Sequence, residues 1–242
     1  MNLVIKSDYE SLSLAAAQAI MELSKQKKEV NICLPTGTTP KGMYKALVDL
    51  HQAGQADFSF INWFTLDEYL GIPLSSPFSC YQQITELFYE PTGISKDRIF
   101  TFNSEAKDLD AEAARYNAII EHMGGLDLAI VGIGMNGHVG FNEPGSSANA
   151  PTRVIDLHER TLVQSKKYFT DDHPIPTKGI TLGMKTLLQS KEVFVVANGE
   201  EKADIVKVAI HGPVSDDVPV SHFQTHAGAT FLLDTLAASK LK

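Results

Sequence analysis

The sequence predicts an α/β protein: three layers, α/β/α, around a mostly parallel, twisted, Rossmann-like open sheet. Three observations predict it. Short apolar runs alternate along the chain with segments of helical period, the pattern of parallel strands joined by crossover helices. The runs 127–132 and 192–197 are apolar almost without interruption, as strands covered on both faces must be. No internal repeat, low-complexity tract or long Pro/Gly/Ser linker divides the 242 residues, of which 43% are hydrophobic. One domain over 1–242 with one sizeable core is therefore expected.

The elements follow in order. Met1 to Lys6 is strand-like. Ser7-Asp8-Tyr9-Glu10 has the S-x-x-E form of a capping box, and Leu12, Ala15, Ala16, Ala19, Ile20 and Leu23 then line one helical face. Strands are expected at 30–34, 61–66, 127–132, 192–197 and 229–233. Helices are expected at 42–52, 80–89 and 109–122. The stretch 144–178 is the least regular, with Pro144-Gly145-Ser146-Ser147 and Asp171-Asp172-His173-Pro174. Inside a compact domain such a loop reads as a lid or binding loop.

Composition excludes several classes of function. A net charge of -8 without a basic run disfavours nucleic acid or an anionic membrane as partner. Two distant cysteines, Cys33 and Cys80, argue against a disulfide framework or a cysteine zinc site and for a reducing compartment. His222 and His226 lie four apart, but no H-E-x-x-H accompanies them, so no metal is expected. The N-terminal run lacks the form of a signal peptide, and no apolar stretch could span a bilayer. A cytoplasmic location is the expectation.

Four polar clusters each begin where an apolar strand stops: Pro35 to Pro40, Asp67-Glu68-Tyr69, Gly134 to His138, and Gly199 to Lys202. In an open parallel sheet these ends share one edge, the edge where ligands bind. Thr36-Gly37-Thr38-Thr39-Pro40 opens a helix, so its hydroxyls and free N–H groups could cradle a phosphate; an ordinary capped turn has the same appearance. Neither a P-loop nor a G-x-G-x-x-G fingerprint is present. The adjacent carboxyls of Asp67 and Glu68 would raise the pKa of one of them, which suits a base that removes a carbon-bound proton near neutrality; a helix N-cap by Asp67 is the plainer alternative. In the glycine-rich stretch 134–145, His138 could carry a proton near neutrality, Glu143 can fold back to fix its tautomer, and Asn136 can bond beside them; a capped turn with a surface histidine is the plainer alternative. Lys167 and Lys202 are candidate phosphate counter-charges, although most lysines are simply solvated.

Taken together, Leu34-Pro35-Thr36-Gly37 with Thr39-Pro40, Leu66-Asp67-Glu68-Tyr69, Asn136-Gly137-His138 with Phe141-Asn142-Glu143-Pro144-Gly145, Thr181-Leu182-Gly183 and Lys202 resemble the glucosamine-6-phosphate deaminase family, within the wider group that includes 6-phosphogluconolactonases. The likeness runs from the Cys33 strand to Asp234. It implies an aldose-to-ketose isomerisation that expels ammonia from an amino-sugar 6-phosphate, without a cofactor. Asp67 would be the base at C2 and C1, and His138 the group that opens the pyranose ring. Asn136 and Glu143 would orient that histidine. Gly37, Thr38, Thr39, Lys167 and Lys202 would hold the phosphate.

The lactonase branch carries D-E-R and D-G-H-T-A-S-L-F where this chain has Asp67-Glu68-Tyr69 and Asn136 to Phe141, which disfavours lactone hydrolysis. A non-enzymatic sugar-phosphate sensor would need a DNA-binding segment, for which the early first helix leaves no room. Thr38 replaces the second glycine of T-G-G-T-P, while Lys167 and Leu162 stand where basic residues, an arginine in the first case, are common. These departures leave glucosamine and galactosamine 6-phosphate both open. Ile155 in place of a lysine, and a chain that stops soon after its last strand, imply no allosteric activation and a monomer or small homo-oligomer.

Overall fold

A computed structural model describes residues 1–26, 29–157 and 176–241. Seven strands build a parallel sheet: β1 (Asn2–Lys6), β2 (Val30–Leu34), β3 (Ile61–Thr65), β5 (Ile99–Phe100), β6 (Leu128–Gly132), β9 (Glu192–Ala197) and β10 (Ala229–Asp234). Their order is β1-β10-β9-β6-β2-β3-β5, and each neighbouring pair is parallel. Period-two alternation sends successive side chains to opposite faces. Ile32 and Leu34 of β2, Trp63 of β3 and Ile130 of β6 enter one core, where α1 (Tyr9–Gln26) and α2 (Lys41–Gln52) pack. Cys33, Phe64, Ala129 and Val131 enter the other, beneath α5 (Leu109–His122). The three layers predicted from the sequence are thus present, with the expected strands and long helices at nearly the expected bounds.

Three local features differ from expectation. The carboxylate of Asp8, rather than Ser7, caps α1: Ser11 N–H donates to Asp8 Oδ1 at 2.7 Å, and the Ser7 hydroxyl donates to the other oxygen at 2.8 Å. The segment 80–89 begins as α3 (Cys80–Ile84), widens into a π-helical turn at Thr85–Tyr89 and closes as α4 (Glu90–Thr92). Within 144–178, β7 (Arg153–Asp156) is a regular strand, and β8 (Lys178–Thr181) begins at its last residue. Residues 158–175 of the predicted lid, Leu162 and Lys167 among them, lie outside the described residues.

β7 and β8 form a small antiparallel sheet with β4 (Asp67–Tyr69), in the order β4-β8-β7. This second sheet positions the site. The chain leaves β3 at Leu66, whose N–H bonds to Leu34 of the parallel sheet and whose carbonyl accepts from Leu182 N–H beyond β8. Asp67 therefore stands two residues past the end of β3, as the first residue of β4 and opposite Thr181. The shorter helices are α6 (Met184–Leu188) and α7 (Ala203–His211). Among the described residues no helix is long and apolar enough to cross a membrane.

Candidate active site

The carboxyl ends of β2, β3, β6 and β9 open onto one cavity of about 350 Å³. Asp67, His138, Lys202 and the turn Thr36–Thr39 all line it. The four polar clusters are thus brought together at one sheet edge, where open parallel sheets bind ligands.

Gly37 turns the chain at φ 104°, a left-handed value that favours glycine, and a Cβ there would meet nothing within 4 Å. Tyr9 of α1 pins this turn: its hydroxyl donates to the Thr39 carbonyl at 2.9 Å and accepts from Gly42 N–H at 2.8 Å. Thr39 Oγ1 donates to Asn198 Oδ1 at 2.7 Å, tying the turn to the end of β9. Thr36, Gly37, Thr38 and Thr39 thereby line the cavity just ahead of α2, whose Gly42 N–H is taken by Tyr9. Lys202 reaches the same cavity from the 3-10 turn Glu200–Lys202, just ahead of α7, and its Nζ donates to the Ile133 carbonyl at 2.7 Å.

Asp67 and Glu68 point to different surroundings, as neighbours on a strand must. Glu68 is fully buried and accepts three backbone N–H bonds: Cys80 at 2.8 Å, Tyr81 at 2.9 Å and its own neighbour Tyr69 at 2.8 Å. Two of these come from the start of α3, so the helix N-terminus holds this carboxylate. The N-cap alternative for Asp67 is not realised; Ser79 caps α3. Burial, then the charge of Glu68, pushes the Asp67 carboxyl up from 3.8 to about 7. Burial also raises Glu68 to about 7, against the pull of its backbone N–H partners. Three N–H donors favour the ionised form of Glu68, whereas the donor recorded at Asp67 is the weaker Cys80 thiol, so the proton of the pair is drawn toward Asp67.

His138 sits in a loop that starts at the end of β6. A Cβ on Gly134 would fall within 2.4 Å of the imidazole ring, so only glycine lets the ring lie over this backbone. Asn136 Nδ2 donates to Glu143 Oε2 at 2.8 Å, which turns Asn136 Oδ1 toward His138 Nδ1 at 2.7 Å. Oδ1 can only accept, so Nδ1 carries the proton and Nε2 is the acceptor. Glu143 Oε2 also lies 3.4 Å from Nδ1, so it stands against the imidazole directly as well as through Asn136. Two residues with this geometry were not singled out from the sequence: Cys80, bonded to Asp67, and Gln83, on the cavity wall. The Ser79 cap marks where α3 starts, but only the tertiary fold brings that start to Asp67. Among the described residues no group of three or more His, Cys, Asp or Glu is placed to hold a metal ion.

The profile of glucosamine-6-phosphate isomerases/6-phosphogluconolactonase matches residues 7–232. The chain belongs to that family. It is 36% identical over 239 residues to a glucosamine-6-phosphate deaminase of Thermoanaerobacter pseudethanolicus, covering 99% of this chain and 94% of that protein. It is 39% identical to glucosamine-6-phosphate deaminase 2 of Bacillus subtilis, covering 100% and 98%. Among solved structures it superimposes with a TM-score of 0.96 on a monomeric glucosamine-6-phosphate deaminase of the NagB superfamily, at 36% identity over 99% of this chain and 100% of that one. The 6-phosphogluconolactonase of Trypanosoma brucei shares the fold, with a TM-score of 0.74 at 24% identity over 100% and 98%.

Proposed function

We propose that this family member converts an amino-sugar 6-phosphate, first of all glucosamine 6-phosphate, into the ketose 6-phosphate and ammonia. The observation that carries this reading is the convergence of a raised carboxyl, an imidazole bonded to Asn136 and the Thr36–Thr39 turn on one cavity of about 350 Å³. The likeness to named deaminases over nearly the whole chain supports it.

The chemistry follows from the groups present. The N–H groups around Gly37, Thr38 and Thr39, together with Lys202 and Lys167, hold the phosphate and fix the sugar along the cavity. His138 Nε2 takes the proton of the anomeric hydroxyl and returns one to the ring oxygen, which opens the pyranose to the aldehyde. Asn136 and Glu143 stabilise the imidazolium formed in between. The carbonyl at C1 and the ammonium on C2 acidify the C2 hydrogen, so a carboxylate with a pKa near 7 suffices as base. Asp67 removes that proton; the electron pair forms a C1–C2 double bond as the C1=O π bond opens, and the C1 oxygen takes a proton from the C2 ammonium, giving an enolamine. Asp67 then delivers the proton to C1, leaving a C2 iminium. Water adds to C2, and the C–N bond breaks to release ammonia and the ketose.

No cofactor has a step in this sequence. The partner is a small sugar phosphate, met in the cytoplasm by a monomer or small homo-oligomer. Parallel ammonia assays on glucosamine 6-phosphate and galactosamine 6-phosphate test the reading and assign the epimer. Release from one of them, abolished by Asp67→Asn, is expected. Hydrolysis of 6-phosphogluconolactone without ammonia release from either sugar would refute it.

A further inference from the structure

Cys80 does not line the cavity, yet it touches both carboxyls behind it. Its backbone N–H donates to Glu68 Oε1 at 2.8 Å, and its thiol donates to Asp67 Oδ1 at 3.6 Å. The sulfur accepts from the Thr36 hydroxyl at 3.4 Å, and Thr36 itself lines the cavity. Cys80 is only 1% exposed, and burial beside two carboxyls pushes its thiol well above the usual range, so it stays protonated and acts as a donor. The other Asp67 oxygen, Oδ2, lies 3.1 Å from the position a Cβ would take on Gly140, another wall residue. One oxygen is therefore engaged by Cys80, and the other lies beside Gly140 of the cavity wall.

We propose that Cys80 is a positioning residue: its thiol, polarised by Thr36, holds Asp67 Oδ1, leaves Oδ2 as the working oxygen, and favours the ionised base. The inference rests on the reading of Asp67 as the base. The other titratable groups around Asp67 are Glu68 on its own strand, the Cys33 thiol from β2 and the Tyr44 hydroxyl from α2, with His138, Glu201 and Lys202 across the cavity. Burial raises Cys33 and Tyr44 well above their usual ranges, so both are neutral at physiological pH. Cys80 is the thiol whose hydrogen bond to Asp67 the structure records. A donor to a carboxylate stabilises the charged form, so its loss raises the pKa of the base.

The test is the pH dependence of kcat/KM for ammonia release by Cys80→Ala and Cys80→Ser. Base catalysis gains rate as pH rises through the base's pKa. In Cys80→Ala that limb moves to higher pH by about half a unit, which lowers the rate below the limb roughly threefold. KM is unchanged, because Cys80 does not reach the substrate. Cys80→Ser keeps a donor at the helix start, and its limb stays at or below the wild-type position. A limb unmoved in the alanine variant, or moved equally in both, overturns the proposal, because filling space alone would not separate them. Carbon-13 titration of the aspartate carboxyls, with the Asp67 signal assigned by its loss in Asp67→Asn, reads the same shift in the free protein. If the wild-type protein released no ammonia, the functional reading would fall while this titration still decided the Cys80 contact.

Discussion

Asp67→Asn should make the protein more stable above neutral pH while removing its activity. Asp67 is 6% exposed, and its carboxyl rises from 3.8 to about 7 on burial beside Glu68. Between those values the native chain holds a proton that the unfolded chain has released. Stability therefore falls as pH rises through this window, and the full cost is present above it. A rise of about three pH units corresponds to about 4 kcal/mol for the ionised group. Because part of the rise comes from Glu68, which relaxes once its neighbour is neutral, a net gain of about 2–4 kcal/mol is expected at pH 8. The amide fits the site: its oxygen can accept from the Cys80 thiol as Oδ1 does, and its NH₂ can face the cavity. For a chain of this size the gain is about 5–15 °C in Tm. Thermal unfolding of both proteins at pH 4 and pH 8 is the assay. The gain should appear at pH 8 and vanish at pH 4, where the wild-type carboxyl is protonated. An equal gain at both pH values, or none at pH 8, would refute the assignment of Asp67 as a buried carboxyl under electrostatic strain. The same substitution should lower kcat by about 10²–10⁴-fold, the range of a lost general base.

Further outcomes follow from the same contacts. Glu68→Gln removes the charge that raises Asp67, so the acid limb of the pH–rate profile moves to lower pH; it also sets an NH₂ against the backbone donors at the start of α3, costing about 1–3 kcal/mol in urea unfolding. Gly134→Ala places a methyl where the imidazole lies and should lower kcat at least about 100-fold while leaving the fold intact by circular dichroism. Asn136→Leu removes both bonds that fix the His138 tautomer and should lower kcat about 10–100-fold with little change in KM, measured by steady-state kinetics. Lys202→Met should raise KM for the phosphorylated sugar more than it lowers kcat.

Apart from the two-residue edge strand Ile99–Phe100, which was too short to show, the parallel sheet was legible because its central strands are buried apolar runs such as Ile130-Val131 and its helices carry long apolar faces. The edge carrying the site was legible for the same reason, since four polar clusters each interrupt such a run. The second sheet was not. Arg153–Asp156 and Lys178–Thr181 are four residues each and half polar, too short to show a period, and their partner Asp67–Tyr69 reads equally well as the start of a helix. That sheet is nevertheless what sets Asp67 at the cavity. Cys80 and Gln83 were hidden for a related reason: a residue beside the site in space but within a helical segment distant in sequence carries no local signal. The Asn136 relay between Glu143 and His138 was visible as three polar residues but not as an order, which needs the hydrogen-bond directions.

The central claim is that Asp67 and His138 work on one substrate, and an amino-sugar 6-phosphate carrying deuterium at C2 tests it most directly. The account predicts slower ammonia release from the labelled sugar, with part of the deuterium recovered at C1 of the ketose product because one carboxylate carries it across. Ammonia release at an unchanged rate, with the deuterium still on C2 or with no ketose formed, would contradict it.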